Sequence, residues 1–292
     1  MTAPRSGQKM LLRVMHRTRF DYSAEVSQGY SEVRKAPPDT GLQHVVSSTL
    51  IVSPPTTVVA HRDYFRNIVH HFNVLEPHSF LEVVAESIVE TTDDVCCGPE
   101  AAPDPRPWKD RWAEFLTWSP AVPALDDYAT IRHRVDSNLP ASEFLSALSE
   151  LGETFRRRFR YDPDVTHVHS TPKELFEQGG GVCQDLAHAL IGVLRLAGVP
   201  SRYASGYIYQ PKDEQGGEQV LGSAASHAWV QAWHPDSGWV GIDPTNNKLV
   251  DWQYVRAAIG RDYYDVQPVR GVFYGEAEQQ LTIEVRVTRL GS

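Results

Sequence analysis

Apolar residues recur along this chain with two different periods, and the change from one to the other divides it. In "KMLLRVMHRTRFDY", "VVSSTLIVSP", "RNIVHHFNVLEP" and "SFLEVVAESIVET" the β-branched and aromatic positions partly alternate with polar ones, as in a strand with one covered face. The clusters "APPDTG", "SPPTT" and "EPHS" separate these runs and read as turns. Residues from about 9 to 92 are therefore expected to form a small antiparallel β domain, within a first unit spanning residues 1–95. The stretch "TTDDVCCGPEAAPDPRPW" then crowds proline, glycine and acidic residues together, which breaks both regular structures and suits a linker over 96–110.

A period of three to four takes over in the second unit, residues 111–278. Phe144, Leu148, Leu151, Phe155 and Phe159 fall on one face of a helix, whose expected role is core packing. In "TPKELFEQGGG", Thr171 is a candidate N-cap, Pro172 sits in the first turn, Glu174 is three residues past the cap, and the glycines stop the helix. Leu186, Leu190, Ile191, Leu194 and Ala197 form a second helical face that opens at Cys183, with Gly198 and Pro200 as its stop. Strands resume in "RYASGYIYQ", "SHAWVQAW" and "GWVGIDP", the last two joined by the turn "HPDSG". The final "QLTIEVRVTRL" alternates again, so residues 279–290 are expected to return to the first β domain.

Composition narrows the function. With 28 Lys and Arg against 37 Asp and Glu, the net charge of −9 argues against a nucleic-acid partner or an anionic membrane surface, both of which need clustered positive charge. No apolar run approaches the roughly 20 residues needed to span a bilayer, and the start carries no signal-peptide pattern, so a soluble, cytoplasmic protein is expected. Of three cysteines, Cys96 and Cys97 are adjacent, so no disulfide framework is expected and Cys183 reads as a free thiol.

A thiol at a helix start, behind three glycines, is placed for chemistry. The helix N-terminus favours the thiolate, and the glycines would let a substrate carbonyl approach the Cys183 backbone amide, a candidate donor to a developing oxyanion. The base can be derived from the hairpin "SHAWVQAWHPDSGWVGIDP". If Trp233 pairs with Trp239 across the turn, Trp229 lies opposite Asp243, and His227 lies diagonal to Asp243 on the same face. A carboxylate there would fix the imidazole tautomer and raise its basicity. Tyr161, in "FRYDP", is a second candidate for the oxyanion.

The segments "GGGVCQDLAHALIGVLRLAGVPSRYASGYIY", "SHAWVQAWHPDSGWVGIDPTNN" and "GRDYYDVQPVRGVFYG" together resemble bacterial transglutaminase-like proteins of the papain-like superfamily. The resemblance covers most of residues 160–275, and residues 9–92 resemble the β-rich N-terminal region that accompanies this core. It implies an α+β fold, a β-sandwich-like N-terminal domain before a papain-like catalytic domain, with Cys183 as nucleophile, His227 as base and Asp243 as orienter. One departure is visible: where relatives often carry a histidine before the "GRDY" motif, this chain has Tyr254.

Plainer roles suit several other residues. His188 reads as structural and Asp185 as a brace of the first helical turn. His167 and His169 lack the paired ligands of a zinc site, and "PKDEQGGEQ" lacks the alternating ligands of a calcium loop, so no metal and no cofactor are expected. The expected function is thiol-dependent acyl transfer at amide bonds of a peptide or protein substrate, with hydrolysis as the main reaction. The alternatives are a transglutaminase with an amine acceptor and a non-catalytic transglutaminase-like scaffold.

Overall fold

The computed structural model describes residues 9–92, 94, 106–163, 170–211 and 226–290. The alternating segments form β1 (Lys9–Val33), β2 (Gln43–Ser53), β3 (Val58–Arg62), β4 (Ile68–Val74) and β5 (His78–Thr92). β1 dominates this part. Over its first half Met10, Leu12, Val14, His16 and Thr18 are buried, every second residue, as a strand with one covered face requires. The pairing with β5 shifts register between Asp21 and Val26. Such an irregularity bends and twists a strand, and here it lets one strand serve two half-sheets.

The second part contributes α1 (Trp108–Arg111), α2 (Ala141–Arg158), β6 (Arg160–Tyr161), α3 (Pro172–Gln178), β7 (Gly180–Gly181) and α4 (Cys183–Leu196). There follow β8 (Ser201–Ile208), β9 (His227–His234), β10 (Gly238–Asp243), β11 (Lys248–Leu249), β12 (Tyr254–Gly260) and α5 (Tyr263–Val266). The chain closes with β13 (Val269–Tyr274) and β14 (Gln279–Leu290). β14 pairs antiparallel with β1 from Leu11 to Tyr22, which is the return expected of the last alternating segment. The return begins earlier than the alternation signals, because β13 already pairs with the second half of β1.

A second antiparallel sheet, in the order β11-β10-β9-β8-β12, carries the other core. α4 is buried from Leu186 to Arg195, so it is covered on every side, as its mostly apolar sequence demands. Its residues pack with Phe144, Leu148, Leu151 and Phe155 of α2 and with Ala228, Val230 and Ala232 of β9. Trp233 of β9 lies outside that core and joins Trp112, Phe115 and Trp239 in an aromatic cluster.

β12 is the last strand of that sheet, with main-chain groups that a further strand would normally satisfy. Two side-chain amides, one at the start of β2 and one in the turn between β3 and β4, take that strand's place. Gln43 donates to the Arg256 carbonyl and accepts from the Arg256 amide, both at 2.8 Å. Asn67 does the same for Ile259, again at 2.8 Å in both directions. Leu12, Val14 and Val89 pack against Tyr207, Val255 and Ala257 beside them, so the two sheets share a small core.

Asn67→Ala should therefore orphan a buried amide and a buried carbonyl, at about 1–3 kcal/mol each. Urea unfolding of the full chain is expected to show a loss of about 2–5 kcal/mol. A loss under about 0.5 kcal/mol would show that these bonds do not hold the two sheets together.

Candidate active site

The approach to Cys183 is built from short-range signals. Thr171 caps α3: its hydroxyl accepts from the Glu174 amide, and the Glu174 carboxylate accepts from the Thr171 amide at 2.6 Å. Gly179, at φ 70°, ends the helix in the left-handed conformation that glycine adopts without strain. Gly181 is required by a close approach, since a Cβ there would stand 2.8 Å from Asp185 Oδ2. That oxygen accepts from the Val182 amide at 2.9 Å, so Asp185 braces the first turn of α4 as expected. Cys183 is left at the open end of a 14-residue helix, half-exposed and free.

β6 and β7 pair in parallel, Arg160 with Gly180 and Tyr161 with Gly181. This places Tyr161 beside the segment that leads to Cys183. Burial raises the Tyr161 pKa, and the neighbouring Cys183 raises it further. Tyr203, wholly enclosed, also feels the Cys183 charge, after burial as the main cause of its raised pKa. The Cys183 amide lies in the first helical turn, where an N–H has no acceptor within the helix. Two donors, this amide and the Tyr161 hydroxyl, thus belong to one small region around the sulfur.

The hairpin has the register that its turn predicts: Trp239 pairs with Trp233 and Ile242 with Val230. His227 and Asp243 meet on the odd face, with Nε2 2.7 Å from Asp243 Oδ2 and both side chains fully buried. Asp243 is surrounded by donors. Tyr254 Oη donates to Oδ2 at 2.8 Å, as does the Asn246 side-chain amide. The backbone amides of Thr245 and Asn246 donate to Oδ1 at 2.8 and 3.2 Å. Burial alone would raise the Asp243 pKa, but His227 and these donors hold it below the usual carboxylate value.

Burial alone would likewise lower the His227 pKa, but Asp243, aided by Cys183, raises it to about 10. With Nε2 engaged by the carboxylate, Nδ1 has no hydrogen-bond partner among the described residues and is the nitrogen left to the thiol. The structure thus gathers Cys183, His227, Asp243 and Tyr161 into one neighbourhood. Sequence reasoning missed Asn246, three residues past Asp243 in "DPTNN", and left the role of Tyr254 open. No local pattern marks a tyrosine on β12 as a carboxylate donor.

His188 is buried within the fold. Its Nε2 accepts from the Tyr263 amide at 3.1 Å, and burial pushes its pKa down to about 4, so it stays neutral. This bond explains much of the "GRDYYD" segment, which is tied to α4 a second time where Arg195 donates to the Arg261 carbonyl at 2.6 Å. Cys96, Cys97, His167, His169 and residues 212–225 of the polar loop lie outside the described residues. Among the described residues, no three His, Cys, Asp or Glu side chains gather as a metal site, and no helix is long and apolar enough to cross a membrane.

Comparison with known proteins agrees with this architecture. Residues 12–90 match the family profile of the bacterial transglutaminase-like N-terminal region, and residues 131–244 match that of the transglutaminase-like superfamily. An uncharacterized protein of Mycobacterium leprae is 33% identical over 287 residues, covering 96% of this chain and 99% of that protein. One from Mycobacterium tuberculosis is 32% identical over 288 residues, covering 94% of this chain and 91% of that protein. A crystal structure of a candidate cysteine protease from Cytophaga hutchinsonii superposes with a TM-score of 0.71 at 19% identity, covering 98% of this chain and 92% of that one, a likeness of fold. A fold of two joined sheets, a cysteine at a helix start and matches along nearly the whole chain lead to one conclusion: the protein belongs to the transglutaminase-like superfamily and carries the bacterial transglutaminase-like N-terminal region before its core.

Proposed function

We propose that this protein is a thiol-dependent acyl-transfer enzyme that cleaves amide bonds of a peptide or protein substrate. The observation that carries the reading is the fully buried His227–Asp243 pair, with one ring nitrogen committed to the carboxylate and the other left for the Cys183 thiol. A scaffold would have no use for a buried ion pair beside a half-exposed thiol, since charge burial is costly unless it serves something else.

In this reading the Cys183 thiolate attacks the substrate carbonyl carbon and forms a C–S bond. The oxyanion accepts from the Cys183 amide and the Tyr161 hydroxyl. As the C–N bond breaks, protonated His227 gives its Nδ1 proton to the leaving amine. Neutral His227 then takes a proton from water as it adds to the thioester, and collapse of that adduct releases the carboxylic acid and the thiolate. Tyr254, Asn246 and Asp243 act through His227 as positioning residues. Hydrolysis is favoured over amine transfer because Cys183 is partly exposed, whereas amine transfer demands the exclusion of water. The proposed location is the cytoplasm, a reducing compartment that keeps such a thiol reduced.

Two measurements test this. Iodoacetamide near neutral pH should alkylate Cys183 well before Cys96 or Cys97, and Tyr254→Phe, which removes one donor from Asp243, should slow that alkylation about three- to tenfold. Peptide mapping that finds all three cysteines equally labelled, and unaffected by the substitution, would remove the role given to the pair. The second measurement is mass spectrometry of the products from a peptide library supplied with excess primary amine and EDTA. Carboxylate products should predominate, undiminished by EDTA, and fall about 10²–10⁴-fold in Asp243→Asn. Mainly amide products would make the protein a transglutaminase, and unaltered turnover in Asp243→Asn would refute the assigned role of the carboxylate.

A further inference from the structure

The first sheet contains a cavity of about 400 Å³ at the bend of β1, where the two half-sheets separate. Its walls include Phe20, Leu81, Val269 and Phe273, and it opens past Val272 and Gln279, both exposed. It is open to solvent on one side, unlike a void sealed within a close-packed core. It falls instead within the range of small-molecule pockets, roughly 300–1,000 Å³.

The polar side chains in this apolar lining are Ser31, His78 and Tyr22, with Gln279 at the mouth. Ser31 is only 6% exposed, lines the cavity, and its hydroxyl has no hydrogen-bond partner among the described residues. His78 is 5% exposed, and its Nδ1 donates to the Glu76 carbonyl at 2.8 Å. That bond assigns the ring proton to Nδ1 and leaves Nε2 as a bare acceptor. Nε2 lies 3.7 Å from where a Cβ on Gly29 would stand, and both residues line the cavity. Tyr22 completes the set, its ring edge-on to His78 at 5.7 Å and tilted against Phe273 at 4.9 Å. Among the described residues, no Asp, Glu, Lys or Arg lines the cavity.

We propose that this cavity is a second ligand site, separate from Cys183, for an uncharged aromatic small molecule that carries a hydroxyl or N–H donor. The aromatic and branched walls bury the ring, His78 Nε2 accepts the donor, and the Ser31 hydroxyl adds a second hydrogen bond. An ion is excluded, because nothing in the lining would compensate a buried charge. None of the cavity residues belongs to the candidate triad or to the donors around Asp243, so occupancy does not require the thiol.

The test is calorimetric titration of the full chain with 2-naphthol near pH 7. Saturable binding at one site per chain is expected, unchanged in Cys183→Ala, with naphthalene-2-sulfonate at least tenfold weaker. Gly29→Val intrudes on the cavity beside His78, at a position where a Cβ meets nothing closer than 3.6 Å, and should weaken 2-naphthol at least tenfold. Ser31→Ala, which removes no volume the fold needs, should weaken it about three- to tenfold and decides the matter if Gly29→Val does not fold. The absence of saturable binding, equal binding of the sulfonate, or binding unchanged in both variants with their folds intact would overturn the site.

Discussion

Asp243 is a carboxylate with no contact with solvent, and burying such a group is costly unless the protein replaces its hydration. Here the replacement is close to complete. An imidazole, a phenol, a side-chain amide and two backbone amides converge on its two oxygens. Three of these come from the turn after β10 and one each from β9 and β12, so the carboxylate is compensated only when the second sheet is fully assembled. Its charge and hydrogen bond, together with Cys183, then raise the His227 pKa against the desolvation that would otherwise keep the ring neutral.

The same requirement gives the first sheet a role in the site. β12 supplies Tyr254, yet it is the last strand of its sheet and is held from outside by Gln43 and Asn67. A side-chain amide can turn one N–H and its oxygen to the same residue, the set a neighbouring strand would offer, so each closes both main-chain groups of one residue. The N-terminal region is thus joined to the core by hydrogen bonds at the strand that braces the acid, and the shared core of Leu12, Val14, Val89, Tyr207 and Val255 keeps water from competing for them.

Much of this was legible in the sequence because it depends on neighbours in the chain. Strand parity and a short turn place His227 and Asp243 on one face; the run Thr171, Pro172, Glu174 and Gly179 delivers Cys183 to a helix start. Tyr254 and Asn246 were not legible as partners of Asp243, because their roles depend on how β12 and the turn after β10 pack rather than on period. Gln43 and Asn67 were further out of reach, since their partners lie 213 and 192 residues away and neither belongs to a motif. The long alternation of β1 announced a strand but not its bend, which no proline or glycine pair marks between Asp21 and Val26.

The account rests on Asp243 holding His227 protonated beside Cys183, and nitrogen NMR of the His227 ring across pH reads that state directly. Both ring nitrogens should carry protons at pH 7–8, the charged form being the stable one below a pKa raised to about 10, and Asp243→Asn should abolish it. A His227 ring that is neutral at pH 8 and titrates near the ordinary histidine value of about 6.5 would contradict the account.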